Sequence, residues 1–276
     1  MSAGVKILNG KELAGFIKER QAAQVRQILS SGGADGTRRR PKLLIIRDSD
    51  NPVILKYVGL KIRYGEDIGV IVEDYLAASS SDIAEKIVSV NQDATVDGII
   101  LQLPILEKEK TDELTDLIAA SKDVDGLSSC GDFDSATATA ILWLIAGYDI
   151  DLKNRRIALV GRGKLVGAPL FKMLISSGLD VEMFHRGSDL FRLASFDVII
   201  TAVGVPGLIT TEMVKAGAVV VDAGTASEDG VIRGEVSDVV REREDLFAIT
   251  PVIGGVGPLT ITCLFDHVIQ AAQKAR

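Results

Sequence analysis

The sequence predicts an α/β protein built as two lobes, and three observations support this fold class. The 276 residues are enough for one large domain or for two of ordinary size. Continuous apolar runs, such as residues 42–46, alternate with segments of helical periodicity, which is typical of parallel sheets covered by helices on both faces. A dense group of glycines at 161–167 follows one of these runs and begins a second series of strands and helices.

The first lobe is predicted to alternate helices with buried strands. Helical periodicity covers residues 10–30, 53–67, 82–91 and 109–120. Apolar strands are predicted at 42–46, 70–75 and 97–103. The stretch 123–134 is rich in Gly, Ser and Asp, so we expect a boundary loop there.

The second lobe is predicted to be a Rossmann-like sheet. Helices are predicted at 136–147, 167–177, 211–216 and 258–274. Strands are predicted at 156–160, 180–185, 197–202, 218–222 and 246–250. We therefore expect a domain at 1–135, completed by the C-terminal helix 258–276, a Rossmann-like domain at 136–257, and a cleft between them.

Composition and charge exclude several classes of protein. With 47% hydrophobic and 25% charged residues, the chain is too apolar to be disordered. A net charge of -7 and a pI near 5.0 argue against nucleic-acid binding. Two distant cysteines and two histidines indicate neither a disulfide framework nor a metal site. The N-terminus lacks a signal peptide and no apolar run is long enough to cross a membrane, so we expect a cytoplasmic protein.

Three glycines are the central feature of the second lobe. Gly161, Gly163 and Gly167 follow an apolar run in the spacing Gly-x-Gly-x-x-x-Gly, a variant of the dinucleotide-binding fingerprint. Glycine permits a tight turn and a close approach of the backbone to a diphosphate, while the next helix presents its N–H groups to that anion. Such a loop is weak evidence by itself, because glycines also end strands in proteins that bind no nucleotide.

The residues beyond the glycines favour NADP over NAD. An NAD site places an acidic side chain at the end of the second strand, where it binds the ribose hydroxyls. Here Glu182 comes too early in the strand, whereas Arg186, about 20 residues beyond the loop, is positioned to meet a 2′-phosphate. Arg162, inside the loop, is a second candidate for that contact. The alternative is that both arginines are solvated.

Two further strand ends carry the small residues expected along a cofactor crevice. Gly204 lies in the segment 202–207 and Thr225 in the segment 222–225, and each segment follows a predicted strand. Either segment alone is compatible with an ordinary turn. Three such strand ends in one lobe favour a shared binding site.

The first lobe carries a separate group of reactive side chains. Tyr57 and Lys61 are four residues apart on one face of a predicted helix, where a phenol and an amine can stack on a planar ligand and transfer a proton. In isolation this pair is more simply explained by a core aromatic ring and a lysine that extends to solvent. Gln102 at the end of an apolar strand, Asp125 in the boundary loop and the glycine-dense segment 250–260 together point to one site between the lobes.

Six motifs, distributed along nearly the whole chain, carry a family resemblance. They are Tyr-x-x-x-Lys at 57–61, Asp-Gly-Ile-Ile-Leu-Gln-Leu-Pro at 97–104, Lys-Asp-Val-Asp-Gly at 122–126, Val-Gly-Arg-Gly-x-x-Val-Gly at 160–167, Ala-Val-Gly-x-Pro-Gly at 202–207 and Thr-Pro-Val-x-Gly-Gly-Val-Gly-Pro-Leu-Thr at 250–260. In this order they resemble the bifunctional methylenetetrahydrofolate dehydrogenase/methenyltetrahydrofolate cyclohydrolase family.

The resemblance implies two linked reactions. The first oxidises 5,10-methylenetetrahydrofolate to the methenyl compound with NADP. The second hydrolyses that compound to 10-formyltetrahydrofolate, in the one-carbon metabolism that supplies purine biosynthesis. It also implies a homodimer formed through the Rossmann-like lobe.

The resemblance further implies a role for each candidate residue. Lys61 would be the general acid/base of hydrolysis, oriented by Gln102, while Tyr57 would stack on the folate and Asp125 would bind the pterin ring. The residues that would border the substrate are Gly257 and Pro258. The residues that would bind the cofactor are Gly161, Arg162, Gly163, Arg186, Gly204 and Thr225.

The chain departs from the family pattern at several loop positions. Ile54 stands where the family has a serine, three residues before the tyrosine. The loop after Asp125 is shorter than usual, and Ser-Ala-Thr-Ala at 135–138 replaces Pro-Cys-Thr-Pro. Two other interpretations remain: a shikimate-type NADP oxidoreductase, and a folate- or nucleotide-binding protein without catalysis.

Overall fold

The structure, a computed structural model, describes residues 4–31, 39–224, 227–228 and 231–274. The helices in these ranges are α1 (Gly10–Ser31), α2 (Pro52–Ile68), α3 (Ser80–Asn91), α4 (Thr111–Asp116), α5 (Ala136–Gly147), α6 (Gly167–Ser176), α7 (Asp238–Arg241) and α8 (Val256–Lys274). The strands are β1 (Lys6–Ile7), β2 (Lys42–Arg47), β3 (Ile71–Leu76), β4 (Gly98–Leu101), β5 (Arg156–Val160), β6 (Asp180–Phe184), β7 (Val198–Thr201), β8 (Val219–Asp222), β9 (Ser227–Glu228), β10 (Val231–Ile232) and β11 (Ala248–Ile249).

The chain divides into two compact units. The six-stranded unit comprises Met1–Ala14 and Thr137–Thr260, and the three-stranded unit comprises Gly15–Ala136 and Ile261–Arg276. Both units combine a parallel sheet with helices. The predicted two-lobed α/β fold class is confirmed, and the cleft expected between the lobes stays a prediction.

The three-stranded unit is built on a parallel sheet in the order β3-β2-β4. Leu44 of β2 and Leu101 of β4 belong to a buried cluster with Ile83 and Ile87 of α3 and Leu114 of α4. Burial of this apolar surface is the main stabilising contribution to such a layered sheet and helix arrangement. Because the strands are parallel, the residues that follow β2 and β4 lie at the same edge of the sheet.

Helix α2 begins and ends at residues whose chemistry fits those positions. The Asn51 side chain accepts a hydrogen bond from the Val53 N–H at 2.9 Å, and Pro52 occupies the first turn, where its missing N–H costs nothing. Gly69 closes the helix at φ 89°, a left-handed conformation that glycine adopts without steric cost.

One face of α2 is buried and another carries the reactive side chains. Ile54, Val58 and Ile68 are buried, so the hydrophobic side chain that replaces the family's serine packs in the core. Tyr57 and Lys61 are half-buried. The helical spacing places them one turn apart, as the sequence predicts.

The six-stranded unit has a parallel sheet in the order β1-β11-β8-β7-β5-β6. The strands β5, β7 and β8 lie in the interior of the sheet and are almost wholly buried, which explains their continuous apolar sequences. Phe184 and Phe196 meet edge to face in the core, with ring centroids 5.4 Å apart.

The N-terminal residues lie in the six-stranded unit. β1 pairs in parallel with β11, and Leu8 N–H donates to the Ile249 carbonyl at 2.8 Å, so residues up to Ala14 belong to the six-stranded unit. The sequence placed them in the first lobe. A strand of two residues has too short a pattern to be predicted, and its pairing partner lies far along the chain.

Several predicted elements are shorter in the structure. The helix expected at 211–216 is a single 3-10 turn, Thr211–Met213. The helix expected at 109–120 is reduced to α4 between the 3-10 turns Lys108–Lys110 and Ala120–Lys122. Helix α7 and the antiparallel pair of β9 and β10 are additional elements that the sequence did not predict.

The described ranges contain neither a candidate membrane-spanning helix nor a candidate metal-binding cluster. None of the helices found there has the length and hydropathy that a membrane span requires. Among the same residues, no group of three or more His, Cys, Asp or Glu side chains is arranged to hold a metal ion.

Candidate active site and cofactor site

The amine of Lys61 is the centre of the candidate active site in the three-stranded unit. Its Nζ donates a hydrogen bond to Oε1 of Gln102 at 2.6 Å. The two residues come from α2 and from the end of β4, so the sheet and helix packing brings together side chains that are distant in sequence. Tyr57 lies one turn before Lys61 on the same helix.

The Gln102 amide is held in one orientation by its neighbours. Its backbone N–H donates to the Ile46 carbonyl at 2.8 Å, which continues the pairing of β4 with β2. The side-chain Nε2 donates to the Leu103 carbonyl at 2.9 Å. Because a carbonyl can only accept, the NH₂ group must face Leu103 and the amide oxygen must face Lys61. A Leu103–Pro104 cis peptide bond follows directly.

The loop that carries Asp125 is shaped by the neighbouring Asp123. Asp123 is buried, and its carboxylate accepts hydrogen bonds from the Gly126 N–H at 3.1 Å and the Ser128 N–H at 2.7 Å. Gly126 adopts φ 68°, and a Cβ there would lie 2.4 Å from the Asp134 carbonyl oxygen, so only glycine fits.

Two further side chains anchor the residues on either side of Asp125. Lys122 Nζ donates to the carbonyls of Val90 and Asp93 at 2.8 and 2.7 Å, at the end of α3. His267 of α8 lies 2.8 Å from the Val124 carbonyl through Nδ1. That carbonyl can only accept, so Nδ1 carries the proton. Burial lowers the pKa of His267, which keeps the ring neutral.

These supporting residues could not be predicted from the sequence. Asp123 and Lys122 are polar neighbours of Asp125 in the motif at 122–126, but nothing in the sequence indicates which of the two carboxylates accepts hydrogen bonds from the loop N–H groups. His267 contacts this loop from the last helix, and no local pattern connects the two segments.

Burial shifts the pKa values of Lys61 and Asp125 in opposite directions. Burial lowers the pKa of Lys61, and the charge of Asp125 partly opposes that change. Burial raises the pKa of Asp125 to about 6, with Lys61 acting against the rise and Asp123 adding to it. An amine that loses its proton more readily and a carboxyl that titrates near neutrality are suited to proton transfer.

The glycine loop of the six-stranded unit follows β5 and leads into α6. Gly161 has φ 114°, and a Cβ there would lie 2.5 Å from the Ala202 carbonyl oxygen. A Cβ at Gly167 would lie 2.1 Å from the Gly161 carbonyl oxygen. Gly163, in contrast, has open space around it. Two of the three glycines are therefore required by the backbone, and the third leaves room beside the loop for a ligand.

The candidate arginines of this unit are exposed at two different strand ends. Arg162 lies in the glycine loop and Arg186 follows β6. Glu182 forms an ion pair with Arg192 at 2.7 Å, so the one acidic residue of β6 near that end already has a cationic partner. This arrangement fits the predicted preference for a phosphate over ribose hydroxyls.

The remaining candidate residues lie in loops and at a helix start. Gly204 follows β7 with φ 78°, and Thr225 lies outside the described residues. Gly257 and Pro258 are in the first turn of α8, where proline is compatible with the helix. Gly257 is exposed and Pro258 is half-buried.

The fold and the two sites define a class: a two-domain α/β enzyme with a dinucleotide-type domain and a second domain equipped for proton transfer. The chain belongs to the tetrahydrofolate dehydrogenase/cyclohydrolase family, because residues 8–125 match the model of that family's catalytic domain and residues 135–276 that of its NAD(P)-binding domain. The predicted enzyme family is thereby confirmed, and the shikimate-type interpretation is excluded.

Individual relatives agree with this assignment over nearly the full chain. The chain is 36% identical over 284 residues to a bifunctional protein FolD of Nocardia farcinica, covering 98% of each. Its structure matches the bifunctional FolD dehydrogenase/cyclohydrolase of Campylobacter jejuni with a TM-score of 0.90 at 31% identity, covering 98% and 99% of the two chains. It shares its fold with the FolD enzyme of Trypanosoma brucei, solved with NADP and an inhibitor, at a TM-score of 0.88 and 24% identity, covering 99% and 98%.

Proposed function

We propose that this protein oxidises 5,10-methylenetetrahydrofolate with NADP and then hydrolyses the methenyl product to 10-formyltetrahydrofolate. The observation that carries the proposal is the Lys61 to Gln102 hydrogen bond of 2.6 Å, electrostatically coupled to Asp125, inside the catalytic domain of this family. The reactive group is an amine with a lowered pKa, and the hydrolytic half of the reaction needs such a group.

Lys61 acts as the general acid/base of hydrolysis. Water adds to the cationic methenyl carbon and must lose a proton, and the ring nitrogen that leaves that carbon must gain one. Burial lowers the pKa of Lys61, and a bound cationic substrate lowers it further, so the neutral amine can accept the proton from water. The Gln102 oxygen holds the amine in position for both transfers.

Tyr57 and Asp125 position the folate. The Tyr57 ring, half-buried beside Lys61, stacks on the planar pterin. Asp125 accepts hydrogen bonds from the pterin N–H groups when it is ionised, which holds above its pKa of about 6. Gly257 and Pro258 border the substrate at the start of α8.

The six-stranded unit binds the cofactor. NADP, when bound, accepts the hydride that leaves the methylene carbon. The backbone of Gly161, Arg162 and Gly163 receives the diphosphate, as the space beside Gly163 and the start of α6 permit. Arg162 and Arg186 pair with the 2′-phosphate. The residues proposed to line the nicotinamide half are Gly204 and Thr225.

We propose a cytoplasmic homodimer, paired through the six-stranded unit, that supplies one-carbon groups for purine biosynthesis. Its partners are tetrahydrofolate derivatives, with no role for nucleic acid.

A single coupled assay tests the proposal. Purified protein, methylenetetrahydrofolate and either NADP or NAD are mixed, and formation of reduced cofactor is followed together with decay of the methenyl compound. The expected result is cofactor reduction with NADP preferred, followed by methenyl decay. Binding of folate and NADP without turnover would instead indicate a non-catalytic binding protein.

The Lys61→Met variant tests the assigned proton transfer. We expect hydrolysis to fall by about 10²–10⁴-fold, the usual contribution of general acid–base catalysis. NADP binding should be unchanged. Lys56→Met, which removes an exposed lysine of the same helix, is the matched control. Undiminished hydrolysis in Lys61→Met would contradict the role of this lysine.

A further inference from the structure

A fully buried carboxylate supports the loop that follows β7. Glu235 has no exposed surface, and its Oε1 accepts hydrogen bonds from the backbone N–H groups of Val203 at 2.7 Å and Gly204 at 2.5 Å. The Thr201 hydroxyl donates to Oε2. Burial raises the pKa of Glu235, and the three donors oppose that rise. Two loop amides and a strand hydroxyl therefore share one acidic partner.

Gly224 leaves the space that Glu235 occupies. A Cβ at residue 224 would lie 1.9 Å from Glu235 Oε1, which is impossible without displacing the carboxylate. Gly224 N–H in turn donates to Asp222 Oδ1 at 3.1 Å. The loops that follow β7 and β8 are thus both shaped around this side chain.

A second buried contact connects the same edge of the sheet. Asp222, the last residue of β8, accepts hydrogen bonds from Arg241 Nη2 at 2.5 Å and from the Val236 N–H at 3.1 Å. Arg241 Nη1 donates to the carbonyl of Thr250, directly after β11, at 2.5 Å. The segment that contains Glu235 is therefore fixed to the carboxyl ends of three strands.

The sheet order shows which part of a dinucleotide would lie above these residues. A dinucleotide crosses the carboxyl ends of the strands, with its diphosphate at the glycine loop. In the proposed function that loop follows β5, and Arg186 holds the 2′-phosphate at the end of β6. The order β8-β7-β5-β6 places β7 and β8 on the other side of β5. The nicotinamide half therefore extends over the loops that Glu235 supports.

We propose that Glu235 is a positioning residue for hydride transfer, because it holds residues 202–204 in the conformation against which the nicotinamide half lies. The proposal rests on the proposed function. Loss of the carboxylate frees the N–H groups of Val203 and Gly204, and the loop shifts. The proposed diphosphate and 2′-phosphate contacts are made by other residues. Loss of Glu235 should therefore misplace the reacting carbon of the nicotinamide and leave the affinity for NADP unchanged.

The Glu235→Ala variant should separate the two activities. A shift of about 1 Å at a reacting group can cost about 100-fold in rate, so we expect kcat of the dehydrogenase to fall by about 100-fold. The cyclohydrolase uses no cofactor and serves as an internal control, expected within about twofold of wild type, as is the Kd for NADP. Glu244→Ala, which removes an exposed glutamate, should change neither activity.

The Glu235→Gln variant tests whether the hydrogen bonds are the cause. Its amide oxygen can accept from Val203 and Gly204, and its NH₂ group can donate to the Thr201 hydroxyl. We expect it to recover dehydrogenase kcat to within about fivefold of wild type, since a conserved hydrogen-bond geometry preserves positioning. A glutamine variant as impaired as the alanine variant would overturn the proposal.

A double-mutant cycle tests the contact between Gly224 and Glu235. Gly224→Ala alone should reproduce the selective loss of dehydrogenase kcat, because the added methyl group displaces the carboxylate. The Glu235→Ala substitution removes the three atoms nearest to that methyl group, so the second substitution should add little. Additive losses, or equal losses of both activities in Gly224→Ala, would overturn the proposal.

These outcomes separate this inference from the proposed function. If wild type oxidises methylenetetrahydrofolate and the Glu235 variants match it in both activities, only the positioning role is refuted. If wild type neither binds NADP nor turns over the folate, the proposed function itself fails. If Glu235→Ala does not fold, as judged by circular dichroism, Glu235→Gln and Gly224→Ala still decide.

Discussion

Replacing Asp125 with Asn should stabilise the protein at neutral pH. Burial raises the pKa of Asp125 from 3.8 to about 6, so the ionised form is disfavoured in the folded state. At 1.36 kcal/mol for each pKa unit, the rise from 3.8 to about 6 corresponds to about 3 kcal/mol. Asparagine has nearly the same shape and no charge. The Asp125→Asn variant should gain up to about 3 kcal/mol in the free energy of unfolding.

The pH dependence of this gain has a defined sign. Below pH 3.8 the carboxyl is protonated in both the folded and the unfolded state, so wild type and variant should be equally stable. As pH rises from 3.8 through about 6, the unfolded state ionises first and wild type loses stability relative to the variant. Above that range the difference should be constant.

Urea unfolding at a series of pH values measures this difference. Circular dichroism and the fluorescence of Trp143, the only tryptophan, both follow the unfolding transition. Asp132→Asn, at an exposed carboxylate of the same loop, is the matched control. A difference that does not change between pH 4 and pH 7 would refute the assigned cause.

The stabilised variant should also be a poor enzyme. Asparagine cannot supply a carboxylate to the pterin, so we expect a raised KM for the folate. It also lacks the charge that opposes the fall in the pKa of Lys61, so that pKa should fall further. A substitution that raises stability and lowers substrate affinity is expected at a position where a buried charge serves function.

Two further predictions concern the cofactor site. Gly161→Ala should abolish NADP binding, because its Cβ would lie 2.5 Å from the Ala202 carbonyl oxygen and the backbone there has φ 114°. Gly163→Ala should fold normally, because the space around Gly163 is open. Equal thermal stability of the two variants would contradict the steric account. Replacing both Arg162 and Arg186 with serine should raise KM for NADP by about tenfold or more for each lost phosphate contact, since a charged hydrogen bond contributes about 1.5–3 kcal/mol. The KM for NAD, which has no 2′-phosphate, should be nearly unchanged. A proportional rise with both cofactors would show that the arginines do not read the 2′-phosphate.

Local patterns in the sequence were sufficient to predict most of the elements. Continuous apolar runs identified the buried strands β2, β5, β7 and β8, because interior parallel strands are covered on both faces. The spacing of Tyr57 and Lys61 on α2 follows from helix geometry alone. The turn at Gly161 could be predicted from residue type alone, because glycine adopts a positive φ without steric cost.

The elements that the sequence missed depend on contacts between distant segments. β1 has only two residues, and it forms a strand because it pairs in parallel with β11. The stretch 211–216 has helical composition, yet it forms one 3-10 turn. A short segment cannot maintain a helix by propensity alone, so its neighbours decide its conformation.

By itself the sequence determined the fold class and the glycine loop, and it supplied the candidate reactive side chains, since each is encoded in residue type and short-range spacing. Only the tertiary structure decided that the Gln102 oxygen faces Lys61, that Asp123 accepts the hydrogen bonds of the loop N–H groups, and that His267 supports this loop. It alone also revealed Glu235 beneath the loop after β7. A hydrogen bond between distant residues depends on the position and direction of two atoms, and short-range spacing specifies neither.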